Sequence, residues 1–217
     1  MADLDTPVLD DDDCHHLGRV LRLRPGQIVS VADGSGRWRS CVWRTDGSLE
    51  PSGEVVTEPA ATPELTVAFA LTKGAKPEWA VQKLTELGVD TIVPFLADRS
   101  VVRWDREVAR RHVGRWRTVA RQAAMQSRRT RLPAVAEVVP FAEMAAQAAT
   151  TGALAEPGGA PPSLARPTVL VGPEGGWSPA ELACGLPTVA LGPTILRAET
   201  AAMTAAALLI ALRAGLL

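Results

Sequence analysis

Two short stretches near the end of the chain combine glycine-proline turns with charged side chains. They are Gly172-Pro173-Glu174-Gly175-Gly176 and Gly192-Pro193-Thr194-Ile195-Leu196-Arg197-Ala198-Glu199. Each follows a strand-like run, residues 168–171 and 188–191, and each leads into a helix. A turn with little side-chain bulk at the carboxyl end of a buried strand lets a ligand approach the backbone closely. Two such turns, 20 residues apart, predict two walls of one pocket. Backbone N–H groups at a strand-to-helix turn can cradle a phosphate. Yet no Lys follows as in GxxxxGK(S/T), so a nucleotide triphosphatase is not expected. GxGxxG is missing too, which leaves a standard dinucleotide or Rossmann methyltransferase pocket without support. Arg197 and Glu199 fall at the start of the final helix, predicted over residues 200–212. Taken singly, each loop also reads as an ordinary tight turn.

The elements that must hold these loops follow from periodicity. From Leu65 onward strands and helices alternate, which predicts a mainly parallel sheet covered on both faces. Strands are expected at residues 66–71, 91–95 and 133–138, and helices from Lys76 to Gly88, over 105–127 and over 141–149. Pro77 in the first turn and Gly88 at the end bound the first helix. Ser178-Pro179-Ala180-Glu181 reads as a capping box. The turn Lys73-Gly74 is a candidate third wall of the pocket. Residues 150–167, rich in Pro, Gly and Ala, read as a mobile loop. Before the linker at residues 58–64 the chain reads as short β-structure, including 17–23, 27–32 and 37–44, with a hairpin signal at Asp33-Gly34. Strands at that spacing predict a small barrel.

Composition narrows the classes. The 217 residues are 47% apolar and 22% charged, as in ordinary globular proteins. No apolar run reaches a membrane span, and the acidic start MADLDTPVLDDDD lacks a basic signal-peptide region. A cytoplasmic protein without a membrane segment is expected. Cys14, Cys41 and Cys184 form no CxxC pair, and His15-His16 has no partner at ligand spacing, so neither disulfides nor a metal is expected. Net charge is only −1, but 17 of the 23 basic residues, all Arg, fall in residues 19–44 and 99–131. Arg forks match phosphate oxygens and stack on bases, so a local RNA-binding face is predicted.

Taken in order, the motifs resemble a known family. LVGPEGGWSPAEL followed by LGPTILRAETAA is similar to the RsmE family, the SPOUT-class methyltransferases that act on uridine N3 in small-subunit ribosomal RNA. HHLGRVLRL from His15, QKLTELGV from Gln82, DRSVV from Asp98 and the block from Arg121 to Arg128 extend the likeness. The chain departs from it in an acidic start where the family has an Arg-Phe strand, and in Gln122 and Met125 where acids are usual.

The resemblance implies a PUA-like RNA-binding β-barrel over residues 1–62, followed over 63–217 by a SPOUT α/β trefoil-knot methyltransferase domain. It also implies S-adenosylmethionine in the knot, a homodimer, and 16S rRNA of the small ribosomal subunit as substrate, with uridine 1498 as the target. Carried onto this chain, Leu170, Gly172, Glu174, Gly175 and Gly176 would hold the donor from one loop, and Leu191, Gly192, Ile195 and Leu196 from the other. Arg197 would steady the uracil anion, Glu199 would assist proton removal, and Arg19, Arg22, Arg99, Arg103 and Arg128 would meet RNA phosphates. Three alternatives stay open: a SPOUT enzyme with another RNA target, a non-catalytic ribosome-assembly protein, and a phosphate-binding hydrolase.

Overall fold

The computed structural model describes residues 3–217. The chain divides into two compact units. The smaller runs to Ala60 and takes in Arg128–Leu132 as well; the larger holds Ala61–Ser127 and Pro133–Leu217.

In the small unit the acidic start is put to structural use. Asp10 caps the short helix α1 (Asp11–His15) by accepting from the Asp13 N–H, and Asp11, Asp12 and Asp13 fill its first turn. Carboxylates there complement the positive end of the helix dipole. Leu4 is buried, and Arg39 donates to the Leu4 carbonyl and the Asp5 carboxylate, both at 3.0 Å. Residues 17–23, expected as a strand, instead continue from α1 through a single π turn, His16–Val20. The chain has no partner strand beside it there, and the helical ladder satisfies its backbone groups.

Strands β1 (Ile28–Ala32), β2 (Arg37–Trp43), β3 (Leu49–Pro51) and β4 (Val56–Thr57) form an antiparallel sheet. β2 is central, with β1 on one edge and β3 and β4 along the other. Among the described residues no pairing joins β1 to β3 or β4. Its core is Cys41, Trp43 and Leu49, with Leu9, Leu17, Leu23, Val29 and Val31 packed on them. The segment Arg128–Leu132 returns to this sheet. Gly36 N–H donates to the Thr130 carbonyl, Leu132 N–H to the Gly34 carbonyl, and Arg131 to the Glu58 carbonyl.

The large unit is a parallel sheet with helices on both faces. In order of pairing its strands are β11 (Thr188–Val189), β9 (Gly152–Ala160), β10 (Thr168–Val171), β5 (Thr66–Ala70), β6 (Thr91–Leu96) and β7 (Ala134–Val135), with β8 (Val139–Pro140) also on β6. Period-two alternation along β5 sends Val67 and Phe69 to one core and Ala68 and Ala70 to the other. Helices α2 (Lys76–Leu87), α3 (Arg106–Gln126) and α6 (Ala198–Arg213) cover the first face. Helix α4 (Phe141–Gln147) packs its buried Met144 and Ala145 into the second core. Helix α2 ends at Gly88, whose φ of 105° suits a residue without Cβ.

The stretch 150–167 is not a mobile loop. Half of it is β9, inside the sheet between β10 and β11, with residues 152–154 buried. Two of its glycines answer to close neighbours: a Cβ on Gly152 would lie 2.6 Å from the Ala148 Cβ, and one on Gly159 2.5 Å from the Val189 nitrogen. Against β11 its register jumps, since Leu154 faces Thr188 while Ala160 faces Val189. Residues 155–159 therefore leave the ladder with β11 and form an outward excursion.

Candidate donor site and its relatives

The two glycine-proline loops leave the carboxyl ends of β10 and β11 and meet at one pocket. From the first loop Val171, Gly172, Pro173, Glu174, Gly176 and Trp177 line it. From the second come Leu191, Gly192, Thr194, Ile195 and Leu196, with Ala198 and Ala201 of α6 at the floor. The third wall is Ala155, Glu156 and Pro157, the excursion of β9, and not the Lys73-Gly74 turn. Trp177 ties this wall to the first loop. Its indole N–H donates to the Ala155 carbonyl at 3.0 Å, and its ring stacks on Phe95 at 6.0 Å and 1°.

The first loop is held from behind. Helix α5 (Pro179–Leu182) starts with the expected capping box: the Glu181 N–H donates to Ser178 Oγ, and the Ser178 N–H to the Glu181 carboxylate. Glu181 is buried because it also accepts from the Asp98 N–H at 2.9 Å, while Ser178 Oγ donates to the Asp98 carboxylate at 2.6 Å. A buried carboxylate is tolerated when such donors satisfy it.

Seven of the nine residues expected to hold the donor line the pocket: Gly172, Glu174, Gly176, Leu191, Gly192, Ile195 and Leu196. Leu170 does not. It is fully buried with Ala68, Phe95 and Trp177 in the second core, because alternate residues of a strand face opposite ways. Gly175 also turns away, since its carbonyl accepts from Arg99 and its Cβ position lies 3.3 Å from that of Arg99.

Arg197 caps α6 with extended backbone, is exposed, and has no side-chain partner among the described residues. Glu199 sits one helical position beyond its neighbour Ala198, largely buried, and one of its carboxylate oxygens, Oε2, has no hydrogen-bond partner. Sequence reading missed the group that joins Glu199 to the first loop, Lys76. Its ammonium hydrogen-bonds Glu174 and lies 3.7 Å from Glu199. The bond to Glu174 holds that ammonium above the usual lysine range, with Glu199 adding to the effect. No local signal marks a contact between residues 98 apart in sequence. Lys76→Met should lower turnover about tenfold, with much of it restored in Lys76→Arg, because Glu174 and Glu199 lose their shared cation. Single-turnover kinetics on the three proteins checks this.

The arginines assigned to RNA divide. Arg19, Arg22 and Arg128, in the small unit, are exposed with no side-chain partner among the described residues, and Arg22 and Arg128 hold φ of 52° and 57°. Arg99 and Arg103, in the large unit, donate to backbone carbonyls: Arg99 to Gly175, Arg103 to Ala97 and Asp98. Those two shape the loop behind the pocket.

Residues 59–210 match the family described as RNA methyltransferase domain, and residues 9–42 the RNA methyltransferase PUA domain. A ribosomal RNA small subunit methyltransferase E of Mycobacterium bovis is 36% identical, the match covering 91% of this chain and 83% of that one. The protein of the same description from Bacillus subtilis is 30% identical over 89% and 85%. The chain belongs to the ribosomal RNA small subunit methyltransferase E family. The crystal structure of such a methyltransferase E from Neisseria gonorrhoeae, bound to S-adenosyl methionine, superposes with a TM-score of 0.81 at 29% identity, covering 94% of this chain and 90% of that one. A putative methyltransferase from Legionella pneumophila, in complex with the same cofactor, gives 0.79 at 25% identity over 94% and 90%.

The pocket of this methyltransferase E homologue suits such a ligand on its own geometry. A Cβ at Gly176 or Gly192 would meet nothing within 4 Å, so the loops leave room beside their backbone. The apolar side chains of Val171, Leu191, Ile195 and Leu196 offer a slot for a flat ring, and loop N–H and C=O groups offer its hydrogen bonds. Among the described residues no three His, Cys, Asp or Glu side chains converge as metal ligands do, and no helix is long and apolar enough to cross a membrane.

Proposed function

We propose that the protein transfers a methyl group from S-adenosylmethionine to N3 of a uridine in 16S rRNA of the small ribosomal subunit, as a cytoplasmic homodimer. The observation that carries the reading is the convergence of both glycine-proline loops on one pocket at the carboxyl ends of parallel strands, with Arg197 set between the lining residues Leu196 and Ala198. Family membership supports the donor and the RNA class. When bound, S-adenosylmethionine supplies an electrophilic methyl group. The chain's task is alignment and charge. Gly172, Gly176, Leu191, Gly192, Ile195 and Leu196 grip the donor by backbone and apolar contact. N3 of uracil is a weak acid between two carbonyls, and the unpartnered guanidinium of Arg197 steadies the anion as the proton leaves. Glu199, anchored by Lys76 next to the pocket-lining Ala198, is the proton acceptor.

The small unit supplies grip through Arg19, Arg22 and Arg128. Replacing Arg19 and Arg22 together by Ala should weaken RNA binding at every sequence and lower the slope of log K against log salt by about 0.7 to 0.9 per lost phosphate contact. Filter binding across a salt series reads both.

The test of the whole reading is primer extension on small-subunit rRNA from a deletion strain. A methyl on N3 blocks base pairing and stops reverse transcriptase. One stop should vanish on deletion and return with the wild-type gene but not with Arg197→Ala. If no stop changes, the reading fails.

A further inference from the structure

We propose that Glu156 is the ribose anchor of the donor site, its carboxylate accepting hydrogen bonds from the vicinal hydroxyls of the bound nucleoside. The inference rests on the donor reading of the pocket and adds a specificity residue to it. Glu156 lines the pocket from the excursion of β9, is half-buried, and has no partner among the described residues. It differs in this from Glu174 and Glu199, whose charge is answered by Lys76.

The residue before Glu156, Ala155, is held by two contacts. Ala155 pairs with Val171 in the sheet, and its carbonyl accepts from Trp177. The carboxylate therefore sits on a fixed rim of the pocket, in the segment that the register jump frees from pairing with β11. Ionised, it is an acceptor with no proton to give. The donor molecule offers a vicinal diol, whose two O–H groups match the two oxygens of one carboxylate. An acidic side chain at the carboxyl end of a strand in an open α/β sheet takes ribose hydroxyls by this geometry.

The sulfonium is the competing ligand group, and energetics argue against it. Positive charge on sulfur disappears as the methyl leaves, so a carboxylate against it would favour the ground state over the transition state. A contact with the ribose is the same in both states and costs nothing in rate.

The test is calorimetry on wild type, Glu156→Gln and Glu156→Ala. The ligands are S-adenosylmethionine, S-adenosylhomocysteine, 5′-methylthioadenosine and its 2′,3′-dideoxy counterpart. Both variants should bind the three ribose-bearing ligands more weakly by a common factor of about 10 to 100. Wild type should lose a similar factor on the dideoxy ligand, and the variants should lose nothing further. A loss confined to S-adenosylmethionine would place Glu156 on the sulfonium and overturn the proposal. So would a loss that spares 5′-methylthioadenosine, or equal wild-type affinity for the ribose and dideoxy forms. Unliganded melting is the fold control. A side chain without protein partners is not required for folding, so collapse of Glu156→Gln would also overturn the assignment. If wild type binds none of the ligands, the donor reading itself falls.

Discussion

Arg197→Ala is expected to lower the rate of methyl transfer by about two to three orders of magnitude, the usual cost of removing one group aimed at developing negative charge. Donor affinity should stay within about threefold of wild type, since an interaction made only in the transition state leaves ground-state binding alone. The basis is local. Arg197 stands at the N-cap of α6, exposed and unpartnered, immediately after the pocket-lining Leu196. Had it been an ion-pair partner of Glu199, its loss would register as instability. Glu199 instead has Lys76 within 3.7 Å. Single-turnover kinetics with saturating donor and a small-subunit RNA gives the rate, and calorimetry gives the donor affinity. A wild-type rate in Arg197→Ala ends the catalytic assignment; a large fall in melting temperature would return Arg197 to structure.

Gly172→Ala should cost both stability and donor binding through one methyl group. A Cβ there would stand 2.9 Å from the Trp177 ring. That ring is only 5% exposed, stacked on Phe95 and bonded to the Ala155 carbonyl, so it has nowhere to retreat. Overpacking of this kind typically costs about 1 to 3 kcal/mol, or about 2 to 10 °C in melting temperature for a chain of this size. Because Trp177 joins the first loop to the β9 wall, displacing it should also weaken donor binding by at least about tenfold. Trp177→Phe in the same background removes the crowded ring atoms and should recover part of both losses. Wild-type melting and donor affinity in Gly172→Ala would mean that the ring is free to move.

The parts of the site legible beforehand were those written in local chemistry. The capping box from Ser178 to Glu181, the Pro77 and Gly88 bounds of α2, and the two glycine-proline turns each depend on a few adjacent residues. The alternation of strands and helices followed from hydrophobic period. What was missed depends on distant partners. The GALAEPGGA of β9 has none of the β-branched side chains that mark strands. It is a strand because β10 and β11 flank it, and its glycines admit their backbones. Read as loop, it hid Glu156 and the third wall with it. Lys76, and the contact of Arg99 with the first loop, were hidden for the same reason, as the partners Glu174 and Gly175 lie far along the chain. In the small unit the run 16–20 carried strand-like apolar residues, yet no neighbour offers a ladder and the backbone closed on itself.

The return of Arg128–Leu132 to the small unit bears on how the protein is made. The first 60 residues end with the Gly34 carbonyl, the Gly36 N–H and the Glu58 carbonyl each awaiting a partner more than 70 residues downstream. On a ribosome delivering the chain from its amino terminus, this unit stays unfinished until α3 and the six residues after it have emerged. A gene cut at the linker after Glu58 would yield a fragment lacking its last seam. Supplied separately, a peptide spanning residues 126–134 should bind that fragment and complete it.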